Sequence, residues 1–445
     1  MATKELTQGR PLPLLLKFSI PLLLGGILQQ FYQLTDSAIV SNFLGVESLA
    51  AVGASSSVLF LILGFCNGCG AGMAIPIAQA FGARDYSLLR RLVANALYVA
   101  GGLSLLLATV SAMLCGSILH WINIPADIFS EAYIYLFIIL VGIPGTFFYN
   151  LLANIIRALG DSRTPFLFLV FSTAMNIVLD LVFVVLCKWG VAGAGAATLI
   201  AQTLSAVLCY VFMRRNYDVL RGGDPSERGF DPSLSWRLVS VGAPMGLQFS
   251  ITAIGSIILQ SANNALGTTY VAAFTAGMRL KMLFFCPLES FGMAMTTFAG
   301  QNLGAGKPER VKDGIKAGLL LDVIYCVAAL AFIWPMAGPL VRIFVDASET
   351  AIIGAAVYYL RVCTLFFITL GTLCLFRYTI QGLGFTNFAM WSGVMEMIAR
   401  IAVAKLLVGP FGFTAVAFND PAAWVAANLF LIPAFISVYR KVQIG

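Results

Sequence analysis

Residues 44–83 read LGVESLAAVGASSSVLFLILGFCNGCGAGMAIPIAQAFGA, and the chain repeats this pattern 222 positions later, at residues 266–305, as LGTTYVAAFTAGMRLKMLFFCPLESFGMAMTTFAGQNLGA. Eleven of these forty positions are identical, from Leu44/Leu266 and Gly45/Gly267 through Gly70/Gly292 and Met73/Met295 to Gln79/Gln301, Gly82/Gly304 and Ala83/Ala305. A long internal repeat within apolar sequence is a signature of transporters, in which two related helix bundles work about a central site.

Composition names the solvent. The 445 residues are 60% hydrophobic and only 11% charged, against about 25% charged in soluble domains. So much apolar surface cannot be hidden in a soluble core, so lipid must cover it. Stretches of about 20 apolar residues can each span a bilayer. They fall at 14–43, 48–80, 92–119, 132–156, 164–187, 191–213, 238–264, 270–302, 317–339, 353–377, 388–409 and 422–439. The expected fold is all-α and polytopic: twelve transmembrane helices in two homologous six-helix lobes, 1–213 and 238–445. The polar segment 214–237, with Gly222-Gly223, Asp224-Pro225 and Asp231-Pro232, joins them as a cytoplasmic linker. The basic start (Lys4, Arg10, Lys17) leads into an apolar stretch too long for a signal-peptide core, so it reads as the first membrane helix.

Twenty of the 27 Lys and Arg residues fall on the side that would hold both termini and the even-numbered connections, among them Lys4, Arg84, Arg90, Arg91, Arg157, Arg214, Arg215, Lys307, Arg310 and Arg377. The positive-inside rule places that side, and both termini, in the cytoplasm. The net charge of +7 is then a topology signal and calls for no nucleic acid. One His in the chain argues against His-based catalysis, and no GxxxxGK[ST] loop is present, so neither an enzyme nor an ATP-driven pump is expected. The nine Cys lie in or beside apolar runs and read as small buried residues, the Cys66–Cys69 pair included.

Charges inside the spans carry the functional reading, because each costs about 2.5–3.5 kcal/mol at the centre of a membrane helix. Asp36, Asp180 and Thr198 each lie eight to ten residues from the expected outer end of their helix, and Asn176 is one turn from Asp180. Two carboxylates, an amide and a hydroxyl at one depth make a hard oxygen site suited to Na⁺ or a shared proton. The alternative is that Asp36 bonds nearby hydroxyls and Asp180 pairs locally. The second half lacks this set: shifted by 224, Asn176 falls on Arg400 and Asp180 on Ala404. There Glu396 and Arg400, spaced i, i+4, are an expected ion pair. Glu289, Arg279 and Lys281 share the eighth helix. These charges either pair structurally or line a substrate cavity. Asp322 is expected near the inner end of its helix or bonded to a neighbour. Pro21 and Pro244, at nearly repeated positions, are candidate bends.

Taken together the motifs resemble the multidrug and toxic compound extrusion (MATE) transporters of bacterial type. The resemblance rests on Ile20-Pro21, on Gln29-Gln30-Phe31-Tyr32-Gln33-Leu34-Thr35-Asp36-Ser37, on Gln301-Asn302-Leu303-Gly304-Ala305 and its first copy, and on Arg157-Ala158-Leu159-Gly160-Asp161 followed by Asn176 and Asp180. It covers nearly the whole chain. It implies two lobes forming a V around a central cavity in the bacterial plasma membrane. The implied activity is export of organic cations and other amphipathic toxins by a monomer, in exchange for H⁺ or Na⁺ and with no cofactor. The family's amino-lobe cation site corresponds to Asp36, Asn176, Asp180 and Thr198, where Na⁺ would bind if it is the coupling ion. Glu289, Arg279, Glu396, Arg400 and Gln33 are candidates for the substrate cavity. A lipid-linked sugar flippase of the same broad superfamily is the alternative function, kept open by Arg279, Lys281 and Arg400.

Overall fold

The computed structural model describes residues 5–122 and 124–444; Lys4, counted above with the cytoplasmic basic residues, lies outside them. The chain is helical almost throughout: α1 (Pro11–Leu44), α2 (Val46–Gly82), α3 (Tyr86–Met113), a short α4 (Cys115–Trp121), α5 (Phe129–Val141), α6 (Ile143–Ala158), α7 (Arg163–Asp180), α8 (Val191–Asn216), α9 (Pro232–Asn264), α10 (Thr268–Gly304), α11 (Pro308–Val341), α12 (Thr350–Leu365), α13 (Phe367–Gly382), α14 (Thr386–Ala402), α15 (Val408–Phe411) and α16 (Phe413–Ile444). Among the described residues nine helices are long and apolar enough to cross a membrane, and eleven spans result when α5–α6 and α12–α13 each count as one. The remaining segment, α14–α15, carries Glu396, Arg400 and Lys405. It completes twelve spans in two six-helix halves.

The repeat is visible in the turns. Gly45 (φ 92°) and Gly267 (φ 101°) end α1 and α9 in a backbone conformation that a side chain disfavours. Gly190 (φ 63°) and Gly412 (φ 56°) do the same before α8 and α16. Just ahead of these, α7 and α14 each widen into a π turn, at Leu181–Leu186 and Val403–Leu407. Such turns recur at functional sites. α1 and α9 run through Pro21 and Pro244 as continuous helices. The chain turns by 46° between α5 and α6 and by 51° between α12 and α13.

Two compact units result. One comprises Met1–Glu5 and Leu24–Gly246, the other Leu6–Leu23 and Leu247–Gly445. The first keeps the linker and the opening turns of α9. Gly68 and Gly72 of α2 lie against the backbone at Met245 and Gly242 of α9, so close that a Cβ on either glycine would fall within 3 Å of it. Small residues here let two helix backbones touch. Its core gathers Leu92, Phe147, Ile155 and Leu238. The linker is fastened to α3: Arg90 pairs with Glu227, Arg91 with Asp231 at 2.7 Å, and the Asn95 side chain accepts from the Asp231 backbone N–H at 2.7 Å. The second unit packs Phe274, Tyr359, Phe367 and Leu431 in one cluster, and Leu15 and Phe18 of α1 against Met295 and Phe298 in another. Met113 and Leu429 are among many large apolar side chains left exposed, as lipid-facing positions require. All nine Cys are free thiols, and eight of them are buried.

Candidate functional site

In the first unit α1, α7 and α8 bring the four predicted oxygen donors together. Asp180 is fully buried and the half-buried Asp36 lies within hydrogen-bonding reach of it. The Asn176 amide links the cluster: its NH₂ donates to Asp180 Oδ2 at 2.8 Å, and its oxygen accepts from the Thr198 hydroxyl at 3.2 Å and the Thr198 backbone N–H at 3.1 Å. Tyr32 reaches the same hydroxyl at 3.5 Å. The cluster forms because Asn176 and Asp180 share a face of the last turn of α7, directly before the π turn. A cavity of about 40 Å³ adjoins it, lined by Gln29, Tyr32, Ser172, Thr173, Thr198 and Gln202 among others.

One valence is left open. Asp180 Oδ1 is buried without a hydrogen-bond partner, and so is Gln202 Oε1 on the cavity wall. Two carboxylates at this distance, out of water, cannot both stay charged and bare. A proton or a small cation between them would complete the oxygen shell. Tyr135, buried on α5 beside Asp36, Tyr32 and Asp180, is a further member that the sequence did not reveal, because it sits in an apolar run.

The second unit holds a different polar core. Arg377, Glu396, Arg400, Asp420 and Lys281 form one chain of alternating sign. Arg377 pairs with Glu396, Arg400 lies 3.7 Å from Glu396 and 3.1 Å from Asp420, and Lys281 meets Asp420 at 2.5 Å. Tyr359 donates to Asp420 at 2.9 Å, and Arg400 donates to Ser256 at 2.8 Å. The expected Glu396–Arg400 pair is therefore present within a larger network. Two of its members differ from expectation. Arg377 is not a loop charge but a buried side chain five residues inside the end of α13. Asp420, placed outside the last span by hydropathy, lies inside α16. The repeat contained the signal for it: Thr198 shifted by 222 is Asp420.

The other substrate-cavity candidates are not brought into this network. Glu289 receives the Tyr378 hydroxyl at 3.4 Å. Arg279 is exposed on α10, and Gln33 is exposed on α1. Asp322 also departs from expectation. It lies at the middle of α11, not near its end, and both carboxyl oxygens are buried without a partner.

Two six-helix repeats, a buried oxygen cluster in one and a charge network in the other define a membrane transporter. The MatE family model matches residues 21–182 and again 244–406; the chain belongs to the MATE family. Among curated relatives, a probable multidrug resistance protein of Bacillus subtilis (strain 168), YpnP, is 29% identical over 354 residues, covering 80% of this chain and 79% of its own. A second from the same organism, YoeA, is 27% identical over 440 residues, covering 96% and 94%. The fold superposes on a solved outward-facing multidrug resistance MATE transporter with a TM-score of 0.91 at 24% identity, covering 100% of this chain and 99% of that one.

Proposed function

We propose that this protein is a secondary antiporter of the plasma membrane, with both termini cytoplasmic. It exports amphipathic organic compounds, organic cations and drugs among them, as a monomer in exchange for H⁺ or Na⁺. The observation that carries this reading is the Asp36–Asp180 pair, held by Asn176 and Thr198 with one carboxyl oxygen unpartnered beside a polar cavity. The coupling cation enters there and neutralises the pair. Neutralisation relieves the repulsion between α1 and α7 and favours a different packing of the outer half of α1. Substrate and cation must prefer different conformations, since a ligand that binds both states equally shifts nothing.

The test is transport by the purified protein in liposomes. A fluorescent organic cation is followed under an imposed Na⁺ gradient and, separately, an imposed pH gradient, with Asp36→Asn and Asp180→Asn alongside. Uptake or release driven by one gradient and lost in both variants is the expected result. Full ion-driven transport by Asp36→Asn would overturn the mechanism.

A further inference from the structure

We propose that the second unit binds an acidic group, a carboxylate or phosphate, of the transported molecule, so that the substrate range includes amphiphiles carrying a negative charge. This rests on the exporter reading and adds a ligand chemistry to it.

Three observations converge. The first is charge. The network holds three cations, Lys281, Arg377 and Arg400, against two carboxylates, Glu396 and Asp420, and none of the five side chains is more than 10% exposed. Glu289, which accepts from Tyr378, and Asp322, whose oxygens have no partner, make no ion pair with these three cations. An excess buried positive charge is costly unless an anion meets it.

The second is an open donor. The Arg400 guanidinium is engaged by Ser256, Glu396 and Asp420, yet its Nε–H is buried with no acceptor. Gly255 leaves room for this side chain, since a Cβ there would sit 3.2 Å from Arg400 Cδ.

The third is a path. Along α9 every fourth residue is polar and none is charged: Gln248, Thr252, Ser256, Gln260 and Asn264. Burial deepens along this stripe, from exposed Asn264 through the partly buried Gln260, Ser256 and Thr252 to buried Gln248, which is bonded to Gln381 at 2.7 Å. Ser256 is at once a member of the stripe and the contact of Arg400. Hydroxyls and amides can donate to an anion, and no carboxylate on α9 repels one. The two carboxylates of the network are each held between two cations, so they do not cancel the surplus.

The experiment uses the full chain in nanodiscs of zwitterionic lipid and three probes of one skeleton: pyrenebutanoate, its methyl ester, and a pyrenebutyl phosphate. At neutral pH and without a gradient, one or both anionic probes should bind about tenfold more tightly than the ester, the scale of a charge-assisted hydrogen bond. Arg400→Gln should abolish that preference, and Ser256→Ala should reduce it about threefold. Which anion is favoured identifies carboxylate or phosphate. Equal affinity for ester and anions would overturn the proposal, as would a preference unchanged in Ser256→Ala and Arg400→Gln. Should Arg400→Gln not fold, Ser256→Ala and Gln260→Ala decide in its place. Binding needs no ion gradient, so anion preference without driven transport would sink the exporter reading alone. Driven transport without anion preference would sink this one alone.

Discussion

At matched places in the repeat, the two units solve one problem with opposite chemistry. In the first, Asn176 meets Thr198; in the second, Arg400 and Asp420, 224 and 222 positions on, meet at 3.1 Å. Tyr135 stands beside the first cluster, and Tyr359, 224 positions later, donates to Asp420 in the second. Each cluster is followed by a π turn and a left-handed glycine. The scaffold is common, and the side chains decide its use. Where the residues are acidic and neutral, one buried carboxyl oxygen is left without a partner, which is the place the proposed exchange assigns to a cation. Where Arg and Lys supply the cation covalently, no such place remains, and the network holds helices together with positive charge to spare.

The comparison breaks most visibly at Asp180. Asp180→Asn is expected to abolish ion-driven transport in liposomes while leaving the thermal unfolding midpoint unchanged or higher, because it replaces a buried carboxylate that is costly to ionise beside Asp36 with a neutral amide. A folded variant that still couples to the gradient would place the coupling ion elsewhere. Glu396→Gln should show the reverse profile. Removing one member of a buried ion pair costs about 3–5 kcal/mol, so the midpoint should fall sharply, and pairing Glu396→Gln with Arg377→Met should recover part of the loss. A midpoint indifferent to Glu396→Gln would end the view of the second network as a structural tie. A smaller effect is expected of Thr198→Ala, which deletes one hydroxyl and should weaken binding of the driving cation about tenfold, read as a shift in the gradient needed for half-maximal transport. The smallest lies outside the membrane. Arg90's hydrogen bonds pull the Glu227 carboxyl down to about 2, so its contribution to holding the linker is complete above the ordinary carboxylate range and fades only as pH falls towards that value. Glu227→Gln should leave transport within about twofold at neutral pH, with protease cleavage of the linker the more sensitive measure.

The repeat offset, the turn glycines and the four oxygen donors could all be read in the sequence. A glycine closing an apolar run marks a turn that needs positive φ, and a carboxylate within such a run needs a polar partner. Asp420 and Arg377 escaped for a physical reason: a hydropathy window trims a span where charges begin, and these charges are buried by partners on other helices. Tyr135 escaped because an aromatic residue among apolar neighbours looks like core. The turns at Gly142 and Phe366 escaped because both lie inside apolar runs with no charge to mark them.

The charge chain also bears on how the protein is made. Segment α14–α15, with Glu396, Arg400 and Lys405, is a poor candidate to leave the translocon for lipid by itself, since each central charge is penalised there. Its ion-pair partners lie on α13 and α16, and the last emerges only at the end of synthesis. The second half therefore has to be held near the insertion machinery until Asp420 arrives. A chain cut short before α16 would leave Lys281 and Arg400 without that carboxylate, a defect that membrane quality control can detect before any transport is attempted.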